Sequence, residues 1–142
     1  MASEAFEEIV ENFELFDEWE DRYRYVIDLG RDMPELPEAR RTDAAKVEGC
    51  ASQVWLVPEL RIEDGVRRLY FDGDSDAMIV RGLIAVLRAL VSGEAVAAIP
   101  AIDVQGELAR LHLETHLSAQ RSNGLKAMVQ RLKDLAANSE AA

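Results

Sequence analysis

Residues 79–91 predict a helix that is apolar on nearly every side, and this helix constrains the fold more than any other segment. A helix without a polar face has to be surrounded by other elements, so it should lie at the centre of the core. The sequence Ser92-Gly93-Glu94 is expected to end it. Its apolar side chains are Ile79, Leu83, Ile84, Val86, Leu87, Leu90 and Val91.

Two short apolar segments before this helix predict a pair of strands. They cover 54–57 and 66–71, and a turn is expected at 63–65, where the sequence is Glu-Asp-Gly. Pro58 indicates that the first strand ends there or lies at a sheet edge, because proline cannot donate a ladder hydrogen bond. The second segment alternates apolar and polar residues, which predicts one buried and one polar face. Together they indicate an antiparallel hairpin.

The amino-terminal part of the chain predicts helices. Apolar side chains recur at helical spacing from Phe6 to Ile27, with a break expected near residue 17 and an end near Gly30. Residues 31–45 then predict a long irregular connection, because they contain two prolines and polar turn residues.

The carboxyl-terminal part is also predicted to be helical. Short helices are expected at 94–98 and 103–110, and Ser118 is placed to cap a long final helix. Residues 136–142 are expected to form a frayed tail. The length fits one domain over 1–142, and the fold class predicted is α+β, a small antiparallel sheet covered by helices.

Charge is distributed unevenly along the chain. The net charge is −11, and residues 1–21 alone carry −9, with nine acids and no Lys or Arg. Binding to nucleic acid is not expected, because phosphate contacts need clustered positive charge. The acidic segment is either a solvated face or a surface for a basic partner. No apolar stretch approaches the ~18 residues that span a bilayer, and no secretory leader is visible, so a cytoplasmic protein is expected.

Cys50 is the only cysteine in the chain. An internal disulfide is therefore excluded, and a lone cysteine is most often a buried, inert side chain. The local sequence also favours a second interpretation, a reachable thiol on a loop over 46–53 before the first strand. Gly49 permits unusual backbone angles, and Ser52 and Gln53 are polar loop residues. The local pattern leaves both interpretations open.

Four sequence blocks together resemble the SufE family of sulfur acceptor proteins. They occur in the family's order and cover the chain from about residue 10 to 135, which makes the resemblance more specific than any one motif. Two substitutions depart from the family pattern, Ala51 after the cysteine and Ala119 after His-Leu-Ser, and neither removes a reactive group. The blocks are WEDRY (19–23) with IDLG (27–30), VEGCASQVW (47–55), GDSDA (73–77) with IVRGL (79–83), and HLS (116–118) with RSNGL (121–125).

The resemblance implies a persulfide carrier whose acceptor is Cys50. Such proteins take sulfur from a cysteine desulfurase of the SufS or CsdA type, stimulate that enzyme, and deliver the sulfur to an iron–sulfur scaffold of the SufBCD type. The pyridoxal phosphate belongs to the desulfurase, so this chain is expected to bind no cofactor. The resemblance also implies a fold like that of the iron–sulfur scaffold proteins, with Gly49, Ser52 and Gln53 shaping the cysteine loop.

Arg121 is a second candidate site residue. If Ser118 caps the last helix, Arg121 lies in its first turn, where a cation opposes the helix dipole. Such a position suggests a role in sulfur transfer or docking, and the alternative is an ordinary solvated arginine.

Asp74 and Asp76 are candidates for contacts with the loop or a partner. Together with Asp72 they resemble the start of a calcium loop, but position 6 is Ala77 and position 12 is Leu83, so helix capping by Asp74 or Ser75 explains them better. No metal is predicted, because His112 and His116 have only one cysteine to join them.

Two other functions remain open from the residues alone. The chain can be an acidic adaptor for protein–protein interaction with an incidental buried cysteine. It can also be a thiol hydrolase, which requires His112 or His116 to act as the base for Cys50.

Overall fold

A computed structural model of the protein describes residues 3–47, 53–113 and 116–141. Five helices accompany one small antiparallel sheet within these ranges, an α+β arrangement that confirms the predicted fold class. No helix within these ranges is long and apolar enough to cross a bilayer. The helices are α1 (Glu4–Leu15), α2 (Trp19–Asp32), α3 (Met78–Val91), α4 (Val104–Ala109) and α5 (Ala119–Ala141), and the strands are β1 (Val54–Glu63), β2 (Val66–Ser75) and β3 (Glu94–Ala95). Short 3₁₀ helices span Glu38–Arg40 and Ile99–Ala101.

The sheet is antiparallel with the strand order β1-β2-β3. Strands β1 and β2 pair along their whole length, from Val54 with Ser75 to Glu63 with Val66. Both are longer than predicted, because Asp64 and Gly65 adopt positive φ angles of 52° and 77° and form a tight turn that matches the twist of the strands. Pro58 is accommodated because β1 lies at the edge of this sheet, one of the two predicted placements.

Helix α3 lies at the centre of the core, as its sequence predicts. It packs against α1, α2, α5 and β2, and nine of its residues are buried. Gly30 of α2 and Gly82 of α3 allow the two helix backbones to touch. A Cβ atom at Gly82 would lie 2.2 Å from the carbonyl oxygen of Val26, and one at Gly30 would lie 2.7 Å from the Gly82 nitrogen. Gly30 therefore allows the close contact between α2 and α3. It does not end α2 as predicted, because α2 continues to Asp32.

The structure differs from the sequence prediction after α3. Residues 94–98 were expected to be helical, but Glu94 and Ala95 form strand β3 beside β2. Gly93, with a φ angle of 90°, turns the chain, and its N–H group donates a 2.8 Å hydrogen bond to the carbonyl oxygen of Leu69. This contact fixes the next residues alongside β2.

The carboxyl-terminal segment also differs, because α5 includes 136–141 where a frayed tail was expected. Ala136 is fully buried and Leu132 is nearly so, which shows that the apolar face of α5 continues into the core. The predicted break near residue 17 and the short helix after residue 103 are confirmed.

The acidic amino-terminal segment lies mostly on the outside of α1. Glu4, Glu8, Glu11 and Glu14 are exposed. Glu7 is different, because Arg110 donates hydrogen bonds of 2.7 and 2.9 Å to its two carboxylate oxygens. These hydrogen bonds hold the pKa of Glu7 below its ordinary value.

Candidate functional site at the root of the cysteine loop

The predicted site residues Gly49, Cys50 and Ser52 lie outside the described residues. The structure does describe both ends of the segment that contains them. The Val47 N–H group donates a 2.8 Å hydrogen bond to the carbonyl oxygen of Val54, and Leu56 N–H donates at 2.9 Å to Ala45. Residues 45–47 thus run antiparallel to the start of β1, and the segment 48–53 connects these two paired stretches.

Gln53 and Asp76 fix the carboxyl-terminal end of this loop. The Gln53 N–H group donates a 3.1 Å hydrogen bond to Oδ1 of Asp76. In return, the Asp76 N–H group lies 3.3 Å from the carbonyl oxygen of Gln53 and donates to it. Both residues are exposed, so this reciprocal contact lies at the surface. Gln53 is three residues after Cys50 in sequence.

Asp74 is the buried centre of the loop's root, with 1% of its surface exposed. Its oxygen Oδ2 accepts from Nη2 of Arg41 at 2.5 Å, and Oδ1 accepts from Nη1 of Arg81 at 2.7 Å. The Ser75 N–H group donates to the same Oδ1 at 2.8 Å. A carboxylate so buried needs such partners, because unpaired burial of a charge is costly.

Arg81 connects this buried carboxylate to the end of α2. Its Nε donates to the carbonyl oxygen of Gly30 at 2.6 Å, and its Nη2 donates to that of Met33 at 3.0 Å. These carbonyls close α2, and a cation there also complements the helix dipole. Arg41 lies in the chain segment between α2 and β1, and its guanidinium carbon is 5.4 Å from the centre of the Trp55 ring. We call Arg41, Asp74 and Arg81 the root cluster.

Sequence reasoning missed both arginines of the root cluster. A usable signal was present for Arg81, because a charged residue inside an otherwise apolar helix needs a partner. The predicted helix capping by Asp74 or Ser75 is wrong, since α3 begins after Ala77 and that N-cap makes no side-chain hydrogen bond. Asp74 lies in β2 instead, where its side chain is committed to the arginines.

Arg121 lies where the sequence predicts, in the first turn of α5. The Ser118 hydroxyl accepts a 3.2 Å hydrogen bond from the Arg121 N–H group, which confirms Ser118 as the cap. The Arg121 side chain is exposed and forms no ion pair with any residue of 3–47, 53–113 or 116–141. The described contacts do not join it to the root cluster. Arg131, about 15 Å further along the helix, donates instead to the carbonyl oxygen of Ala44 at 2.5 Å.

The two histidines do not share a helix face. His112 has a φ angle of 55° after the end of α4, and His116 stacks on Trp19 with 3.6 Å between ring centres. The Tyr23 hydroxyl donates to the backbone carbonyl of His116, so this turn is attached to α2. Across the described ranges, no three His, Cys, Asp or Glu side chains are grouped as metal ligands.

Comparison with known proteins gives consistent matches over nearly the whole chain. Residues 7–136 match the SufE family, described as an Fe-S metabolism associated domain. An uncharacterized SufE-like protein of Rhizobium meliloti (strain 1021) is 48% identical over 129 residues, covering 91% of this chain and 92% of its own length. Another from Rhizobium etli is 47% identical over 130 residues, covering 92% and 88%. The solution structure of a hypothetical protein from Thermus thermophilus matches with a TM-score of 0.73 and 22% identity over all of both chains, which shows the fold alone.

Proposed function

Because the chain belongs to the SufE family, which is associated with iron–sulfur metabolism, we propose that it is a sulfur carrier with Cys50 as the acceptor. The donor is the persulfide of a cysteine desulfurase that carries its own pyridoxal phosphate. The recipient is an iron–sulfur scaffold protein. A cytoplasmic location is part of the same proposal.

The transfer is a displacement at sulfur. The Cys50 thiol releases its proton, and its thiolate attacks the outer sulfur of the donor persulfide. A new S–S bond forms on Cys50 while the donor's S–S bond breaks, and the donor cysteine leaves as a thiolate that takes up a proton. The number of S–S bonds is unchanged, so no oxidant or reductant is needed. Delivery to the scaffold repeats the same step in the other direction.

The fixed root of the cysteine loop is the observation that carries this proposal. Pairing of 45–47 with β1 fixes one end of the loop and the Gln53–Asp76 contact fixes the other, two residues after the buried Asp74. A single thiol on a loop with fixed ends is suited to present one sulfur atom to successive partners. Glu48 is two residues before Cys50 in sequence, and Asp76 contacts Gln53 at the end of the loop. Nearby acids disfavour a thiolate because like charges repel. We therefore expect Cys50 to be a weak nucleophile in the free protein and to be activated by docking.

Intact mass spectrometry tests the proposal directly. The protein is incubated with a cysteine desulfurase, pyridoxal phosphate and cysteine, and then weighed without a reducing agent. The expected result is the mass of one added sulfur, which peptide mapping places on Cys50 and which disappears on reduction. Absence of the adduct, with Cys50 inert to alkylation in the native protein, would favour an acidic adaptor. Ester or amide hydrolysis without a partner would favour the thiol hydrolase.

Replacing Asp76 by alanine is expected to accelerate alkylation of Cys50. The change removes the acceptor for the Gln53 N–H group, and one hydrogen bond contributes about 0.5–1.5 kcal/mol. The alkylation rate should rise about two- to tenfold while the melting temperature changes little. The rate is measured with a fluorescent maleimide. Asp28→Ala, at an exposed position on α2, is the matched control, and equal rates in the two variants would contradict the anchoring role of Asp76.

Replacing Arg121 by alanine is expected to slow sulfur transfer about tenfold, the effect of losing one charge-assisted hydrogen bond to a sulfur anion or partner. Stability should stay the same or rise slightly, since a cation in the first helical turn opposes the dipole. The rate is measured by stopping the transfer reaction at intervals and determining the fraction of loaded protein by intact mass spectrometry. Urea unfolding gives the stability. Lys126→Ala, at another exposed α5 cation, is the control. An Arg121→Ala rate equal to that control would assign Arg121 to the solvated surface.

A further inference from the structure

A groove of about 520 Å³ lies between α1, α2, α3 and strand β2, on a part of the surface that the proposed sulfur chemistry does not use. Ala85 and Ala89 lie one turn apart on α3, and with Ala5 they line the groove with side chains too small to fill it. Ile9 and Leu29 add larger apolar walls. The groove can therefore accept one or two apolar side chains from outside.

Acidic side chains lie at the margins of this groove. Glu8 of α1 and Asp32 of α2 line it, and both are exposed. Neither forms an ion pair with another residue in the described parts of the chain. Glu4 and Glu11 lie one turn to either side of Glu8, so the α1 wall continues the negative charge along the groove.

The cation in the groove does not cancel these charges. Arg88 is paired with Asp72, with Nη2 and Oδ1 3.4 Å apart. Two tyrosines also line the groove, and Tyr70 already places its ring 4.2 Å from the guanidinium carbon of Arg61. Aromatic rings beside unpaired carboxylates favour a cationic side chain over a neutral one.

The groove adjoins the root of the cysteine loop. Met33 lines the groove, and its carbonyl oxygen accepts from Arg81 of the root cluster. Asp72, which holds Arg88, is two residues before Asp74 on the same strand. One end of the groove thus lies next to Arg81 of the root cluster.

From this geometry we propose that the groove docks a segment of a partner protein in which an apolar side chain is flanked by Lys or Arg. The apolar side chain packs over Ala85 and Ala89, and the flanking cations pair with Glu8 and Asp32. Because buried apolar area and charge pairing act together, the affinity is sensitive to salt but is not purely electrostatic. This site is a property of the fold and does not depend on Cys50.

The test is a selection of random peptides displayed on phage against the full protein. Binders are counterselected on Ala85→Leu, whose larger side chain fills the groove. The expected peptides carry an apolar residue between Lys or Arg residues. An enriched peptide, added to ¹⁵N-labelled protein, should shift the amide signals of Ile9, Leu29 and Ala89.

Charge variants keep the test independent of whether Ala85→Leu folds. Glu8→Gln with Asp32→Asn should weaken peptide binding about fivefold, as expected for two partly exposed pairs. Glu14→Gln, at an exposed α1 acid that does not line the groove, should leave it unchanged. Equal weakening by both would assign the binding to general attraction by the acidic surface and would overturn the proposal. Enrichment of neutral or acidic peptides, or no enrichment, would also overturn it. If the amide signals of the groove residues shift on dilution without peptide, a second copy of the chain occupies the groove. That result would also overturn the proposal.

Discussion

Replacing Cys50 by serine is expected to abolish sulfur loading completely, the largest functional effect of any single change in this chain. A serine hydroxyl is scarcely ionised at neutral pH and cannot form the S–S bond that holds the transferred sulfur. No other cysteine can substitute, because Cys50 is the only one. Intact mass spectrometry should show no adduct, and alanine production by the desulfurase should fall to the rate of the enzyme alone.

The same variant separates chemistry from docking. If the partner recognises the folded surface, Cys50→Ser should still bind the desulfurase in a pull-down experiment while failing to accept sulfur. Stimulation that persists in Cys50→Ser would mean that the chain acts on the enzyme without carrying sulfur, which is the adaptor function. A sulfur adduct that persists would place the acceptor at another residue and contradict the proposal outright.

The sequence predicted those parts of the fold that follow from local pattern. The all-round apolar character of α3 requires burial, and this helix is central. Ser118 caps α5 because its hydroxyl can reach the N–H group three residues later. The sequence predicted the hairpin but not the length of its strands. The positive φ angles at Asp64 and Gly65 form a tight turn, so the strands pair right up to it.

The root cluster shows why the rest could not be predicted. Arg41, Asp74 and Arg81 are separated by 33 and 7 residues in sequence, and they lie in the segment before β1, in β2 and in α3, so no single helix or strand relates them. Asp74 was interpreted as a cap because Asp commonly begins a helix. In the fold it pairs with Arg81, which also donates to the Gly30 carbonyl of α2, and such contacts between separate elements are not encoded in local pattern.

Replacing Asp74 by asparagine is expected to lower the free energy of unfolding by about 3–5 kcal/mol, the largest stability effect we predict. The change leaves two half-buried guanidinium groups beside a buried neutral amide, with 20% of the Arg81 side chain and 32% of the Arg41 side chain exposed. Urea unfolding followed by circular dichroism gives the free energy. Because the Asp74 carboxylate is buried, the loss should depend only weakly on salt.

Asp72→Asn is the matched control for this loss, since Asp72 is two residues away on the same strand and also faces two arginines. Its side chain is 39% exposed, and its ion-pair distances to Arg40 and Arg88 are 4.0 and 3.4 Å. Partly exposed pairs of this kind contribute about 0–1 kcal/mol, and salt should reduce even that. If Asp74→Asn were no more destabilising than Asp72→Asn, the root cluster would not be what holds β2, α3 and the end of α2 together. The anchoring of the cysteine loop would then have to rest on the Gln53–Asp76 contact and the pairing of 45–47 with β1 alone.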